Sequence, residues 1–182
     1  MEAVTRMAAR QQSDVLASAV AGDEIAFRRI ITAHHDDMRR VCLAISGDHV
    51  VAEEAVQAAW LVAWKKLDTV RSPEGLRPWL VSVAVNEAKH LLRSRRRRAD
   101  FELATDVTGV AGGGDPATGI DLVDLWTAVR RMAPDDRALL TMRYGVGFNS
   151  NELAIATGKK PAAIRQRLKR LVDRLREDLS DD

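Results

Sequence analysis

The chain has 182 residues, of which 46% are hydrophobic, 30% charged and only 4% aromatic, enough apolar material for one large domain or two small ones. No apolar run approaches the ~20 residues of a membrane span, and the charged N-terminus lacks the apolar segment of a signal peptide. A single cysteine, Cys42 in VCLAI, excludes an intrachain disulfide; it reads as a buried structural thiol and fits a reducing, cytoplasmic setting.

Net charge is +2, but it is unevenly divided. Residues 1–98 carry 16 basic and 12 acidic side chains, 99–124 carry six acidic and no basic ones, and 125–182 carry 12 basic and eight acidic. Two mildly basic blocks therefore flank an acidic connector. Apolar positions recur at helical spacing, which predicts helices over 13–20, 23–34, 37–46, 51–67, 78–97, 121–132, 135–144, 149–157 and 161–179. Pro78, Pro134 and Pro161 are each expected to open a helix, where no amide partner is needed. No segment sustains two-residue alternation. The expected fold is all-α, with two small helical domains, 1–98 and 122–182, joined by a flexible acidic linker over 99–121.

Three local patterns invite other chemistry. HHDD, residues 34–37, holds metal-ligand residue types, but four consecutive helical positions point in four directions and cannot converge on one ion. In the connector, Gly114 and Gly119 have phosphate-loop spacing. Ile120 and Asp121 then stand where lysine and serine or threonine are required, and no strand precedes them. The run KHLLRSRRRR, residues 89–98, ends a long helix with six lysine and arginine side chains. It suits either a solvated helix end or a nucleic-acid contact without sequence preference.

The stretch NELAIATGKKPAAIRQRLKR, residues 151–170, is more specific. Ile164, Leu168, Leu171 and Leu175 recur at i, i+4, i+7 and i+11, a single buried stripe. Ala162, Gln166 and Lys169 lie opposite, with Arg165 and Arg170 beside them. Gly158 permits a sharp turn from the small-residue helix before it. This is the pattern of a helix-turn-helix, whose second helix enters the DNA major groove with its first turns nearest the bases. An αα-hairpin with a solvated cationic face is the plainer alternative.

In full, the sequence resembles bacterial RNA polymerase sigma factors of the extracytoplasmic-function type, within the sigma-70 family. Residues 20–98 resemble the family's region two, through AFRRIITAHHDDMRRVCLAISGD, AEEAVQAAWLVAWKKL and RPWLVSVAVNEAKHLLRSRRRR. Residues 122–177 resemble region four, through AVRRMAPDDRALLTMRYGVGFNSNELAIATGKKPAAIRQRLKRL. The resemblance implies a promoter-recognition factor without catalysis, cofactor or metal. Its implied partners are core RNA polymerase, double-stranded promoter DNA, the unpaired non-template strand and an anti-sigma protein, with no membrane insertion.

The resemblance also implies roles by residue. Glu54, Gln57 and Trp60, on the segment from Glu53 to Trp64, would dock on the polymerase clamp, although Trp60 and Trp64, four residues apart, suit the domain core better than the partner. Arg71 to Leu76 would form a loop that receives an unpaired base. The helix from Trp79 to Arg98 would follow the minus-ten element, with Arg71, Arg77, Asn86 and Lys89 as DNA contacts and Trp79 as a core anchor. Lys160, Arg165, Gln166, Lys169 and Arg170 would engage the minus-thirty-five element. The chain departs from the family pattern at Ala58, where an acidic residue is usual, at Lys160, which replaces a serine cap, and at Ala162–Ala163. A helix-turn-helix regulator that does not bind core polymerase is the alternative; it leaves the segment from Glu53 to Trp64 without a role.

Overall fold

A computed structural model describes residues 2–103 and 120–180. Helix α1 (Glu2–Val20) ends at the turn Ala21-Gly22. Asp23 then caps α2 (Glu24–Ser46), its Oδ1 accepting from the amides of Ile25 and Ala26 at 2.8 and 3.2 Å, which satisfies two donors that a helix start leaves free. Two helices were expected here, divided at 35–36. Nothing between 34 and 37 breaks a helix, so α2 runs through and ends only at Gly47, in the left-handed region at φ 69°. Asp48 repeats the capping at α3 (His49–Lys66), accepting from Val50 and Val51 at 2.7 and 3.1 Å.

After a 3₁₀ turn at Leu67–Thr69, α4 runs from Pro73 to Leu103. Its start corrects the expectation that Pro78 opens the helix. Ser72 is the cap, its Oγ accepting from Gly75 N at 3.3 Å, and Pro73 takes the first position, leaving Pro78 inside. Most of the base-receiving loop expected from Arg71 to Leu76 is thus helical. At the other end α4 continues through residues 99–103, which corrects the expected start of the linker at 99. The rest of the expected linker, 104–119, lies outside the described residues.

The second half comprises α5 (Ile120–Arg131), α6 (Pro134–Leu140), α7 (Ser150–Thr157) and α8 (Pro161–Ser180). Pro134 and Pro161 open helices as expected. The helix expected over 135–144 widens into a π-helical turn at Thr141–Gly145, where Val146 N donates to Thr141 O at 2.9 Å. No strand occurs among the described residues.

In the first half α2, α3 and α4 pack on one another, with α1 across α2. Ala52, Ala55, Ala59, Ala63, Ala84 and Ala88 are fully buried or nearly so; such small side chains let helix backbones approach closely. Met38, Val41, Ile45, Val56, Leu80 and Val81 fill the centre, each worth roughly 1.5–3 kcal/mol on full burial. Phe148, Leu153, Ile164, Leu168, Leu171 and Leu175 are the corresponding core of the second half. The halves are packed together, α6 and the π-helical turn on α2, and α7 on α4, and the buried apolar residues form one continuous cluster. No helix among the described residues is long and apolar enough to cross a membrane.

Candidate nucleic-acid and polymerase interfaces

The helix-turn-helix is set by local chemistry. Asn149 Oδ1 accepts from the amides of Asn151 and Glu152 at 2.8 and 3.0 Å, and Glu152 Oε2 accepts from Asn149 N at 2.8 Å, a reciprocal capping box that starts α7. Gly158 ends α7 in the left-handed region at φ 66°, donating to Ala154 O at 2.9 Å. The stripe Ile164, Leu168, Leu171 and Leu175 is buried as expected, and Arg167 pins α8 to α6 through Asp136 Oδ1 at 2.7 and 2.8 Å. Lys160, Arg165, Gln166, Lys169 and Arg170 are all exposed. Five polar side chains, four of them cationic, thus stand on or beside the free face of α8.

A second outward stripe runs along α3. Val50, Glu54, Gln57, Leu61 and Trp64 recur at i, i+4, i+7, i+11 and i+14, and all are exposed, Val50 and Leu61 at 70% and 67%. Glu54 and Gln57, the expected docking residues, are among them. Leu61 and Val50 were not singled out from sequence, although their spacing from Gln57 and Glu54 was the available signal. Trp60 does not join this stripe: it is half-buried, its ring edge-on to Phe27 at 5.9 Å, and its Nε1–H donates to His35 Nδ1 at 3.3 Å. It packs against the core from its edge. Trp64 also meets Phe27, at 4.8 Å, but keeps 42% of its surface exposed. Glu54 has a partner that sequence reading missed, Arg95 of the basic run, whose Nη2 donates to Glu54 Oε2 at 2.9 Å.

On α4 the candidate minus-ten residues diverge. Arg71, just ahead of the helix, and Asn86 are exposed, as are Arg93 and Arg95–Arg98. Asn86 borders a cavity of about 200 Å³ whose other walls include Lys89, Asp135, Lys159, Ala163 and Arg167. Lys89 is half-buried and bonded to Asp135 of α6, and this bond holds the Asp135 carboxyl below its usual pKa. Arg77 turns inward. Its Nε donates to Asp37 Oδ2 at 2.8 Å and its Nη2 to Val146 O at 2.8 Å, its Nη1 lies 3.7 Å from Glu152, and Phe148 lies under its guanidinium. An arginine expected on phosphates is engaged within the chain in this conformation. Trp79 is partly buried against the core.

The HHDD residues do separate: His35 faces Trp60 and Glu53 of α3, whereas Asp37 holds Arg77 of α4. His34 lines a groove of about 880 Å³ between α1, α2, α4 and α7. Burial lowers its pKa, against Asp37, which raises it, and with Arg77, which lowers it. Cys42 is fully buried, its Sγ 3.4 Å from Ala84 O, and burial pushes its thiol up to about 12.

These two outward stripes and the basic helix coincide with two family models. Sigma-70 region 2 matches residues 30–98, and Sigma-70 region 4 matches residues 122–175. Among curated relatives, "Probable RNA polymerase sigma factor RfaY" of Xanthomonas campestris is 31% identical over 90% of this chain; the alignment covers 43% of that longer protein. The ECF RNA polymerase sigma factor SigL of Mycobacterium tuberculosis is 24% identical over 91% of this chain and 96% of its own length. Among solved structures, the sigma factor RpoE of Bartonella quintana, in complex with the anti-sigma factor NepR, superposes with a TM-score of 0.68 and 26% identity, over 86% of this chain and 98% of that one. The chain belongs to the sigma-70 family, as an RNA polymerase sigma factor of the extracytoplasmic-function type.

Proposed function

We propose that the chain initiates transcription by docking on core RNA polymerase through α3 and carrying it to promoters read by α4 and α8. Residues 1–98 form the polymerase-docking and minus-ten unit, 122–182 the minus-thirty-five unit, and the stretch from 99 to 121 contains their connection. The observation that carries this reading is the coexistence of two unlike exposed surfaces on one chain: the mixed apolar and acidic stripe of α3, and the cationic face of α8. A regulator working through its helix-turn-helix alone leaves the α3 stripe without a role.

The chemistry is recognition rather than catalysis. Arginine and glutamine reach base edges through two hydrogen bonds, and lysine neutralises phosphate. Taking a base out of the stack costs a few kcal/mol, which α4 and its basic run offset by positive charge along the displaced non-template strand. No cofactor, metal or covalent step is involved, and the chain works in the cytoplasm, where polymerase and DNA are. By analogy with the Bartonella complex, an anti-sigma protein restrains it.

Co-purification tests the docking half of this proposal. Core polymerase is expected to retain the wild-type chain and to retain less of Glu54→Ala with Gln57→Ala. A folded chain that core polymerase does not retain would favour the regulator reading.

A further inference from the structure

Two kinds of contact hold α8 in the second half of the chain. Ile164, Leu168, Leu171 and Leu175 are buried, and burial of apolar surface is non-directional. It fixes how deep the helix lies and leaves its roll about its own axis loosely set. A hydrogen-bonded ion pair is directional. Arg167 supplies one, its Nε and Nη2 both donating to Asp136 Oδ1, at 2.8 and 2.7 Å. The Arg167 and Asp136 side chains are 30% and 21% exposed, so salt screens this pair less than it would a surface one.

The pair sets Arg167 apart from its neighbours, since Arg165, Gln166, Lys169 and Arg170 are exposed. Arg165 and Gln166 stand about 100° and 200° round the helix from Ile164, and Arg167 about 300°, next to the buried stripe. Asp136 is a firm anchor for it. It lies in the first turn of α6, after Pro134, where the helix dipole favours a carboxylate. Ala138, Leu139 and Leu140 of the same helix are buried, and Arg137 donates to Arg130 O of α5 at 3.0 Å. Side-chain ends lie about 6 Å from a helix axis, so a roll of about 20° carries one roughly 2 Å. Hydrogen bonds keep their strength over a span of only about 0.5 Å.

We infer that Arg167 is a positioning residue for minus-thirty-five recognition: it touches no base or phosphate, and through Asp136 it sets the roll of α8 that brings Arg165 and Gln166 to their base pairs. Both partners lie in the second half of the chain, so the device is complete within the helix-turn-helix unit. The role rests on the reading of α8 as the minus-thirty-five helix. Two other roles for Arg167 have different consequences. A phosphate contact would add to affinity for every sequence alike. A purely structural link would alter the folded fraction, which cancels from a ratio of affinities measured on one preparation.

The experiment uses the full chain bound to core polymerase and duplexes singly substituted in the minus-thirty-five element, at several salt concentrations and well below the melting temperature. The quantity read is the ratio of affinities for matched and substituted duplexes. Asp136→Ala leaves every side chain of α8 intact. It should lower that ratio about fivefold at the base pairs read by Arg165 and Gln166, the low end of what a bidentate base contact contributes. Arg167→Ala should lower it as much at the same base pairs, and the double variant no further, because both changes remove one link. Where these variants fail to fold, Asp136→Asn, which keeps the shape and one acceptor, should give the same pattern with a smaller loss. Arg165→Ala with Gln166→Ala is the control for base reading itself.

Unchanged ratios in Asp136→Ala and Arg167→Ala, alongside lowered ratios in the control, overturn the inference and leave base reading by α8 standing. Uniform weakening by Arg167→Ala, with the salt slope reduced by about one unit and Asp136→Ala behaving as wild type, also overturns it and makes Arg167 a phosphate contact. Unchanged ratios in the control as well remove base reading by α8, and the positioning role with it.

Discussion

Arg77 and Phe148 meet across the two halves of the chain, the guanidinium carbon 4.9 Å from the ring centroid. The pair is held in place from both sides. Asp37 fixes the Nε of Arg77 at 2.8 Å, and Arg143 donates to Phe148 O at 2.9 Å. A planar guanidinium can stack on a ring and fork to two oxygens at once, which an ammonium cannot.

Arg77→Met should therefore destabilise the chain by about 1–3 kcal/mol, because it leaves Asp37, 17% exposed, without its cation. Arg77→Lys should recover only part of that loss. Denaturant melts of the two variants measure the difference. A change below about 0.5 kcal/mol for Arg77→Met, the range of ordinary surface substitutions, would show that the contact carries no stability.

On α3, Glu54→Ala with Gln57→Ala should weaken core polymerase binding with little change in melting temperature, since both side chains are exposed and the Glu54–Arg95 pair is a surface one, worth at most about 1 kcal/mol. Leu61→Asp should weaken it further by placing a charge in an apolar contact. Trp60→Phe should act differently, lowering stability through the lost bond to His35 while sparing affinity. Binding measured by fluorescence anisotropy separates the two groups; equal affinity for wild type and Leu61→Asp would remove Leu61 from the interface.

On α8, base and phosphate contacts differ in what their loss does. Arg165 and Gln166 lie in the early turns, so their alanine variants should relax preference at single base pairs, at about 1–3 kcal/mol each. Lys160, Lys169 and Arg170 are assigned to phosphates. Their loss should weaken all sequences alike and reduce the salt slope by about one unit. A panel of singly substituted promoters at several salt concentrations distinguishes these patterns, and uniform weakening by Arg165→Ala would make it a backbone contact.

How much of this was legible beforehand depended on the range of the interaction. The turn at Gly158, the starts at Pro134 and Pro161 and the buried stripe of α8 are encoded within a few residues, and the structure has them. The start of α4 is local too, in Ser72-Pro73, although Pro78 carries the same helix-start signal five residues later. The continuity of α2 was missed because HHDD interrupts its apolar spacing without breaking the helix. The contacts between the halves were not legible at all: Arg77 and Val146 are 69 residues apart, and Arg137 and Ile45 are 92 apart. Arg77 and Lys89 could be read as cations available to DNA, yet nothing local indicated that the chain itself supplies their partners.

His34 gives a pH dependence. Its folded pKa is lowered, chiefly by burial, from the ordinary 6.5. Below that value the unfolded chain takes up a proton that the folded chain resists, so the unfolded state binds more protons and stability falls as pH falls. The loss should begin near pH 6.5 and continue down to the lowered folded value. His34→Gln should flatten this part of the stability profile, measured by denaturant melts between pH 5 and pH 8. An unchanged slope in the variant would assign the effect to other groups.

Run-off transcription with purified core polymerase and genomic promoter fragments tests the central claim most directly. Core polymerase alone should give no discrete transcript. Adding the chain should yield transcripts from a restricted set of fragments, reduced by Glu54→Ala with Gln57→Ala at every promoter and redistributed among promoters by Arg165→Ala with Gln166→Ala. Transcripts that appear equally with and without the chain would contradict its role as a promoter-recognition factor.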